Sequence, residues 1–385
     1  MKRTSVAGIT STGSKRPDAL FGADYDGPPL RMVRSAGNRV WDEAGTEYLD
    51  FVMALGAVAL GYAHPRVNQA VQQAVERGAI GPLPPVEEAA LAEELGRLIP
   101  SLEAVRFLKT GAEAVAAAVR LARVHTGRDL VLGCGYHGWL DWCSRSGGVP
   151  AATQALYGEL PFNDIEQGAA MIRRTGDQLA CVVIEPVVDA APSREWLAAL
   201  REETRKSGAL LVFDEIKTAF RVGLGGAVER WGGEPDLVVL GKALANGFPL
   251  AAVGGSAPVM SGIGQTWISS TMATDFVTLA AARATLEIAA AEDLPGVLAN
   301  RGGLLLSGLE RLAERFPRLT TGARGIPEMC YLEWATEELS GRVARECAQR
   351  GLLFKRNAYN FVSLAHENAD IEAALATLEE VMKTC

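Results

Sequence analysis

The chain has 385 residues, 48% of them apolar, and a formal net charge of −8. That length holds one large and one small domain around a deep core. No apolar run reaches about eighteen residues and no long basic run occurs, so a membrane-spanning helix is excluded and nucleic-acid binding is not expected.

Residues 1–17 lack a continuous apolar core and do not read as a signal peptide. The cysteines at 134, 143, 181, 330, 347 and 385 show no metal-ligand spacing, so reduced thiols in a cytoplasmic protein are expected. The histidines at 64, 125, 137 and 366 are equally dispersed, and no metal site is expected.

Taken in order, residues 1–56 read as an arm with a hairpin: Arg31–Val33, a turn at Gly37-Asn38, Val40-Trp41, a turn at Ala44-Gly45, and Tyr48–Val52. Residues 57–294 alternate helical and strand patterns, which predicts an α/β domain with a mainly parallel sheet and helices on both faces. The helix Arg66–Arg77 opens it. The strand Val105–Lys109 runs through Thr110-Gly111-Ala112-Glu113 into a helix over Ala112–His125. Small residues at a helix start leave backbone N–H groups aimed at an anion such as a phosphate. Leu130–Leu132 is a strand followed by Gly135-Tyr136-His137-Gly138, which offers an aromatic face for stacking on a flat ring. Cys181–Ile184 and Ala209–Phe213 are buried strands, the second delivering Asp214. Asp236–Leu240 is another, followed by Lys242. Ser269-Ser270-Thr271 sets hydroxyls before a helix over Phe276–Ala290, a second candidate phosphate contact. Residues 295–385 predict a small α+β domain: helix Ala299–Arg315, strand Cys330–Trp334, helix Glu337–Arg350, the short segments Leu352–Phe354 and Phe361–Leu364, and helix Ile371–Lys383. There are no internal repeats.

In an open parallel sheet, ligands sit outside the carboxyl ends of the strands. Asp214 and Lys242 could therefore face one crevice. A lysine that holds an aldehyde as a Schiff base, and a carboxylate that keeps a pyridine nitrogen protonated, are what pyridoxal 5'-phosphate (PLP) chemistry needs. Two strand-end charges forming an ordinary ion pair are the competing reading. Gly133-Cys134-Gly135-Tyr136-His137-Gly138 also matches the dinucleotide fingerprint G-x-G-x-x-G, which raises an NAD-dependent oxidoreductase as an alternative. Its context argues against that, because Trp139-Leu140-Asp141-Trp142 is not the small apolar helix start that packs on such a strand.

The motifs together carry a resemblance. Val40-Trp41-Asp42, Gly61-Tyr62-Ala63-His64-Pro65, Phe107–Glu113, Gly135–Gly138, Ile184-Glu185-Pro186-Val187, Asp214–Arg221, Pro235-Asp236-Leu237, Gly241-Lys242 and Phe361–His366 resemble, in order and spacing, the class III PLP-dependent aminotransferases of fold-type I, near the glutamate-1-semialdehyde aminomutase branch. The resemblance implies that Lys242 bonds the cofactor and acts as general acid/base, and that Asp214 pairs with the pyridinium. It places Tyr136 and Ile216 on the two ring faces and gives the phosphate to the amides of Gly111 and Ala112. It also has Thr271, with Ser270, reach the phosphate of a neighbouring subunit, so a homodimer with shared sites is implied. Arg16 and Arg356 become candidates for a substrate carboxylate.

Departures from the aminomutase pattern fall on substrate positions. Val188–Pro192 contains no Asn, Trp267 stands where that pattern has Tyr, and Ala358 stands where it has Glu. The expectation is an aminotransferase moving an amino group from a small-molecule donor to a ketone or aldehyde, with an aminomutase or racemase as the alternative. Ser14–Pro17 and Gly135–Trp139 are similar to segments of amino-sugar and antibiotic-pathway transaminases, which points to specialised biosynthesis.

Overall fold

The computed structural model describes residues 5–23, 25, 27–29 and 31–385. They form two compact units, residues 65–295 and the described part of residues 1–64 together with 296–385.

The larger unit is built on a seven-stranded sheet. From one edge the order is Ala104–Leu108, Ala251–Gly255, Leu237–Leu240, Leu210–Asp214, Leu179–Ile184, Leu130–Cys134 and Tyr157–Glu159. The last five run parallel, while Ala251–Gly255 runs antiparallel to both its neighbours. The central strands are unbroken apolar runs because both faces are covered. Alternate side chains go to opposite faces, and two core layers result. On one, Val131, Cys181, Val183, Val212 and Val239 pack with Ala118, Leu121 and Ala122 of the helix Gly111–Thr126. On the other, Leu132, Val182, Ile184, Leu211 and Phe213 pack with Trp196, Leu197 and Leu200 of the helix Arg194–Ser207.

The parallel strands are in register at their ends, Cys134 opposite Ile184, Ile184 opposite Phe213, and Phe213 opposite Val238. Gly135, Glu185, Asp214 and Lys242 therefore all emerge at the carboxyl edge of the sheet. The strand Ala251–Gly255 and the helices Val86–Leu98, Ile165–Thr175 and Arg194–Ser207 add to the elements read from the sequence. Two of these helices have side-chain caps, with Asp164 accepting from the amide of Gln167 and Ser193 from that of Trp196.

In the smaller unit, Met32–Ala36, Arg39–Asp42 and Glu47–Asp50 form an antiparallel meander, and Glu47–Asp50 pairs in parallel with Leu352–Leu353. The N-terminal hairpin thus shares a sheet with a C-terminal strand. A second sheet joins Thr320–Ile326, Met329–Trp334 and Asn360–Phe361. The helices of this unit include Glu337–Gln349, Asn368–Met382 and, from residue 296 on, Leu294–Arg315. No described helix is long and apolar enough to cross a membrane.

Candidate active site

Asp214 ends its strand and is 2% exposed. Its Oδ2 lies 2.8 Å from His137 Nδ1, and its Oδ1 accepts the amide of Ile216 at 3.2 Å. With Asp214 ionised, Nδ1 carries the imidazole proton. The His137 ring is itself buried and stacks on Trp142. Its Nε2 is enclosed and meets no partner among the described residues.

One strand over, Glu185 anchors the same loop. Its Oε2 accepts the amide of Tyr136 at 2.9 Å, and its Oε1 lies 3.0 Å from Lys217 Nζ. Gly135 makes this approach feasible. It has φ 105°, and a Cβ there would stand 2.5 Å from Glu185 Oε2.

Lys242 follows the strand Leu237–Leu240 after one residue and begins a short 3-10 turn, Lys242–Ala245. Its φ of 46° is left-handed, a conformation that a non-glycine residue holds only under constraint from its surroundings. Burial lowers its amine to about 8, and the positive charges of Lys217 and Arg221 act in the same direction. Glu185 and Asp214 pull the other way.

The helix Gly111–Thr126 opens with a capping box. Thr110 Oγ1 accepts the amide of Glu113 at 3.3 Å, and Glu113 Oε2 accepts that of Thr110 at 2.9 Å. The amides of Gly111 and Ala112 are left as first-turn donors with no acceptor inside the helix. Two close approaches tie this helix start to the other residues. A Cβ on Gly111 would lie 2.5 Å from Ile216 Cδ1, and one on Gly138 would lie 2.6 Å from Ala112 Cβ. A Cβ on Gly241 would also touch Ile216, at 3.5 Å. Ile216 therefore lies against both the helix start and the residue preceding Lys242. Asp214, Ile216, Gly111, Ala112 and Lys242 come together at one sheet edge.

This donor set fits PLP. Two free amides at a helix N-terminus suit a phosphate, a buried carboxylate oriented by hydrogen bonds suits a pyridinium nitrogen, and a lysine of lowered proton affinity suits an aldehyde.

The remaining candidates are placed differently. The Tyr136 side chain is 70% exposed. Thr271 is exposed and starts the 3-10 turn Thr271–Thr274, with Ser270 before it. The helix Phe276–Ala291 is capped by Asp275, whose Oδ1 accepts the amide of Thr278, so Thr271 is not its cap. Lys109, just before Thr110, bonds Asp275 and Thr278 Oγ1 and so ties the anion loop to the Thr271 segment. Trp267 is 81% exposed, and its carbonyl accepts from Arg120. In the smaller unit, Arg16 pairs with Asp18 on the surface. Arg356 is buried there, donating to the carbonyls of Asp18 and Ala19 and to Ser340 Oγ, and ion-paired with Glu337. Its guanidinium is thus occupied within its own unit. No group of His, Cys, Asp or Glu among the described residues is arranged to hold a metal.

Sequence reasoning did not single out His137, Glu185 or Lys217 as site residues. Each lies just beyond the carboxyl end of a parallel strand, which is the signal that marks them.

A family model described as aminotransferase class-III matches residues 21–382. The chain is 35% identical to the glutamate-1-semialdehyde 2,1-aminomutase of Neisseria meningitidis, over 96% of this chain and 95% of that protein. It is 32% identical to the protein of the same name from Sulfurihydrogenibium azorense, over 92% of each. Among solved structures, it resembles the PLP internal aldimine form of the FumI protein of Sphingopyxis sp. MTA144, with a TM-score of 0.92 and 26% identity over 100% of this chain and 94% of that one. An omega-transaminase from Sphaerobacter thermophilus superposes with a TM-score of 0.85 and 27% identity, over 99% and 98%. The fold is that of the fold-type I PLP-dependent transferases. The chain belongs to the class III aminotransferases, a PLP-dependent family.

Proposed function

We propose that Lys242 is the cofactor-bearing lysine and Asp214 the partner of the ring nitrogen. On this reading the chain transfers an amino group from a small-molecule amino donor to a ketone or aldehyde acceptor in specialised biosynthesis. The observation that carries this is the convergence of Lys242, the buried Asp214–His137 pair and the free amides of Gly111 and Ala112 around Ile216.

Bound PLP supplies an aldehyde that takes up an amine and a ring that stores an electron pair. The chain's own residues do the rest. The amides of Gly111 and Ala112 bind the phosphate. Ile216 packs on one ring face and the Tyr136 loop covers the other. Asp214, kept in place by His137 and the Ile216 amide, holds the proton on the ring nitrogen. Lys242 Nζ, lowered to about 8, both takes and returns a proton close to neutral pH.

Lys242→Ala is expected to abolish turnover while PLP still binds non-covalently. General acid–base loss alone costs about 10²–10⁴-fold, so a variant with near-wild-type turnover overturns the assignment. An amino-donor screen followed by visible absorbance identifies the donor.

A second reading, an aminomutase, is favoured by the 35% identity to a protein of that name. It predicts conversion of glutamate-1-semialdehyde with no external donor. The changes at Val188–Pro192, Trp267 and Ala358 support the aminotransferase instead.

The working unit is proposed as a cytoplasmic homodimer in which the exposed Thr271, with Ser270, completes the neighbour's phosphate site. Arg16 remains a candidate for the donor carboxylate. Arg16→Lys then raises KM for that donor and leaves KM for an uncharged acceptor nearly unchanged.

A further inference from the structure

The loop Gly135–Gly138 is fastened to the sheet at two adjacent points. The His137 ring meets Asp214, and the Tyr136 amide meets Glu185. Glu185 is in turn paired with Lys217 at 3.0 Å, with the two side chains only 6% and 9% exposed. An ion pair so enclosed holds each partner in place, and removing one leaves the other as an uncompensated buried charge. Lys217 directly follows Ile216, which lies against Gly111 and beside Gly241. The pair is therefore joined to the Tyr136 loop by a hydrogen bond and, through the neighbouring Ile216, to the packing against Gly111 and Gly241. The charged groups acting on Lys242 are Lys217, Arg221, Glu185 and Asp214, with His137 behind Asp214.

We propose that Lys217 is a positioning residue: through Glu185 it fixes the Tyr136 loop over the cofactor, and with Glu185 it sets the charge facing Lys242 Nζ. This rests on Lys242 being the cofactor lysine. Among the charges acting on Lys242, Lys217 has the largest effect, favouring the neutral amine. Its removal takes away a cation and unmasks the Glu185 anion. Both changes make the nitrogen of Lys242 hold its proton more tightly.

The test is a pH titration of the visible absorbance of the PLP-loaded protein, which reads the proton at Lys242 Nζ. It compares wild type, Lys217→Met, Lys217→Arg, Glu185→Gln and the double variant Lys217→Met/Glu185→Gln. The midpoint is expected to rise by about one pH unit or more in Lys217→Met and to stay near wild type in Lys217→Arg. It falls in Glu185→Gln and returns towards wild type in the double variant. If Lys217→Met fails to fold around a lone Glu185, the step from Glu185→Gln to the double variant reads Lys217 alone. A merely structural role would lower the melting temperature and leave the midpoint in place. Equal midpoints in all folded variants overturn the proposal. Lys242→Ala serves as the control: if its absorbance titrates as wild type does, the cofactor assignment has failed and not the pairing.

Discussion

His137 is the residue whose removal tests the site most sharply. Its Nδ1 lies 2.8 Å from Asp214 Oδ2, with both side chains almost wholly enclosed, at 1% and 2% exposure. The other contact to that carboxylate, from the Ile216 amide, is longer at 3.2 Å. His137→Phe keeps the stacking on Trp142 and deletes only the donor. A hydrogen bond to a charged group contributes about 1.5–3 kcal/mol. At about 1.4 kcal/mol per tenfold in rate, the variant should lose about 10- to 100-fold in kcat/KM. Part of the loss arises because Asp214, without its main donor, is no longer held in the orientation proposed for pairing with the ring nitrogen. Steady-state kinetics with a donor that wild type accepts measures the effect, and a thermal melt on the same sample shows whether the protein is folded. A folded variant whose kcat/KM stays within about twofold of wild type would refute the view that Asp214 works through its bond to His137.

Other expectations follow from single contacts. Burial raises Glu215 to about 7 although it accepts bonds from Thr218, Ala227 and Val228. Its folded proton affinity exceeds the unfolded one, so its contribution to stability is complete below about pH 4.5 and is lost as pH rises through about 7. The loss is about 3 kcal/mol at 1.36 kcal/mol per unit, and urea unfolding of Glu215→Gln across that window should lack this slope. Arg356→Lys, which cannot reproduce the fork of contacts to Asp18, Ala19 and Ser340, should cost about 2 kcal/mol of stability. A rise in donor KM with unchanged melting would instead assign Arg356 to substrate. Thr271→Ala should weaken PLP retention on dialysis while sedimentation still reports a dimer, and a fully active monomer would remove Thr271 from the site.

The strands that present the site were legible because they are buried on both faces. Val182-Val183-Ile184, Leu210–Phe213 and Leu237–Leu240 are apolar throughout, and the first charged residue after such a run marks the edge of the sheet. Asp214 and Lys242 could be read in this way. Ala251–Gly255 could not, because Ala-Ala-Val-Gly-Gly has little strand propensity and becomes a strand only by fitting between two others. Thr320–Ile326 was hidden likewise by two glycines and a largely uncovered face. The pairs that complete the site were illegible for a different reason. His137 and Asp214 are 77 residues apart, and which strand ends become neighbours is decided by sheet order, which no local pattern encodes.

The left-handed backbone at Lys242 sets selection for stability against selection for the chemistry proposed for this residue, at a single codon. An L-residue in that conformation gives up about 1–2 kcal/mol, which glycine would recover and asparagine would recover in part. If Lys242 bears the cofactor as proposed, a library enriched for heat resistance alone should drift away from lysine at 242, and borohydride should no longer fix PLP to its hardiest members.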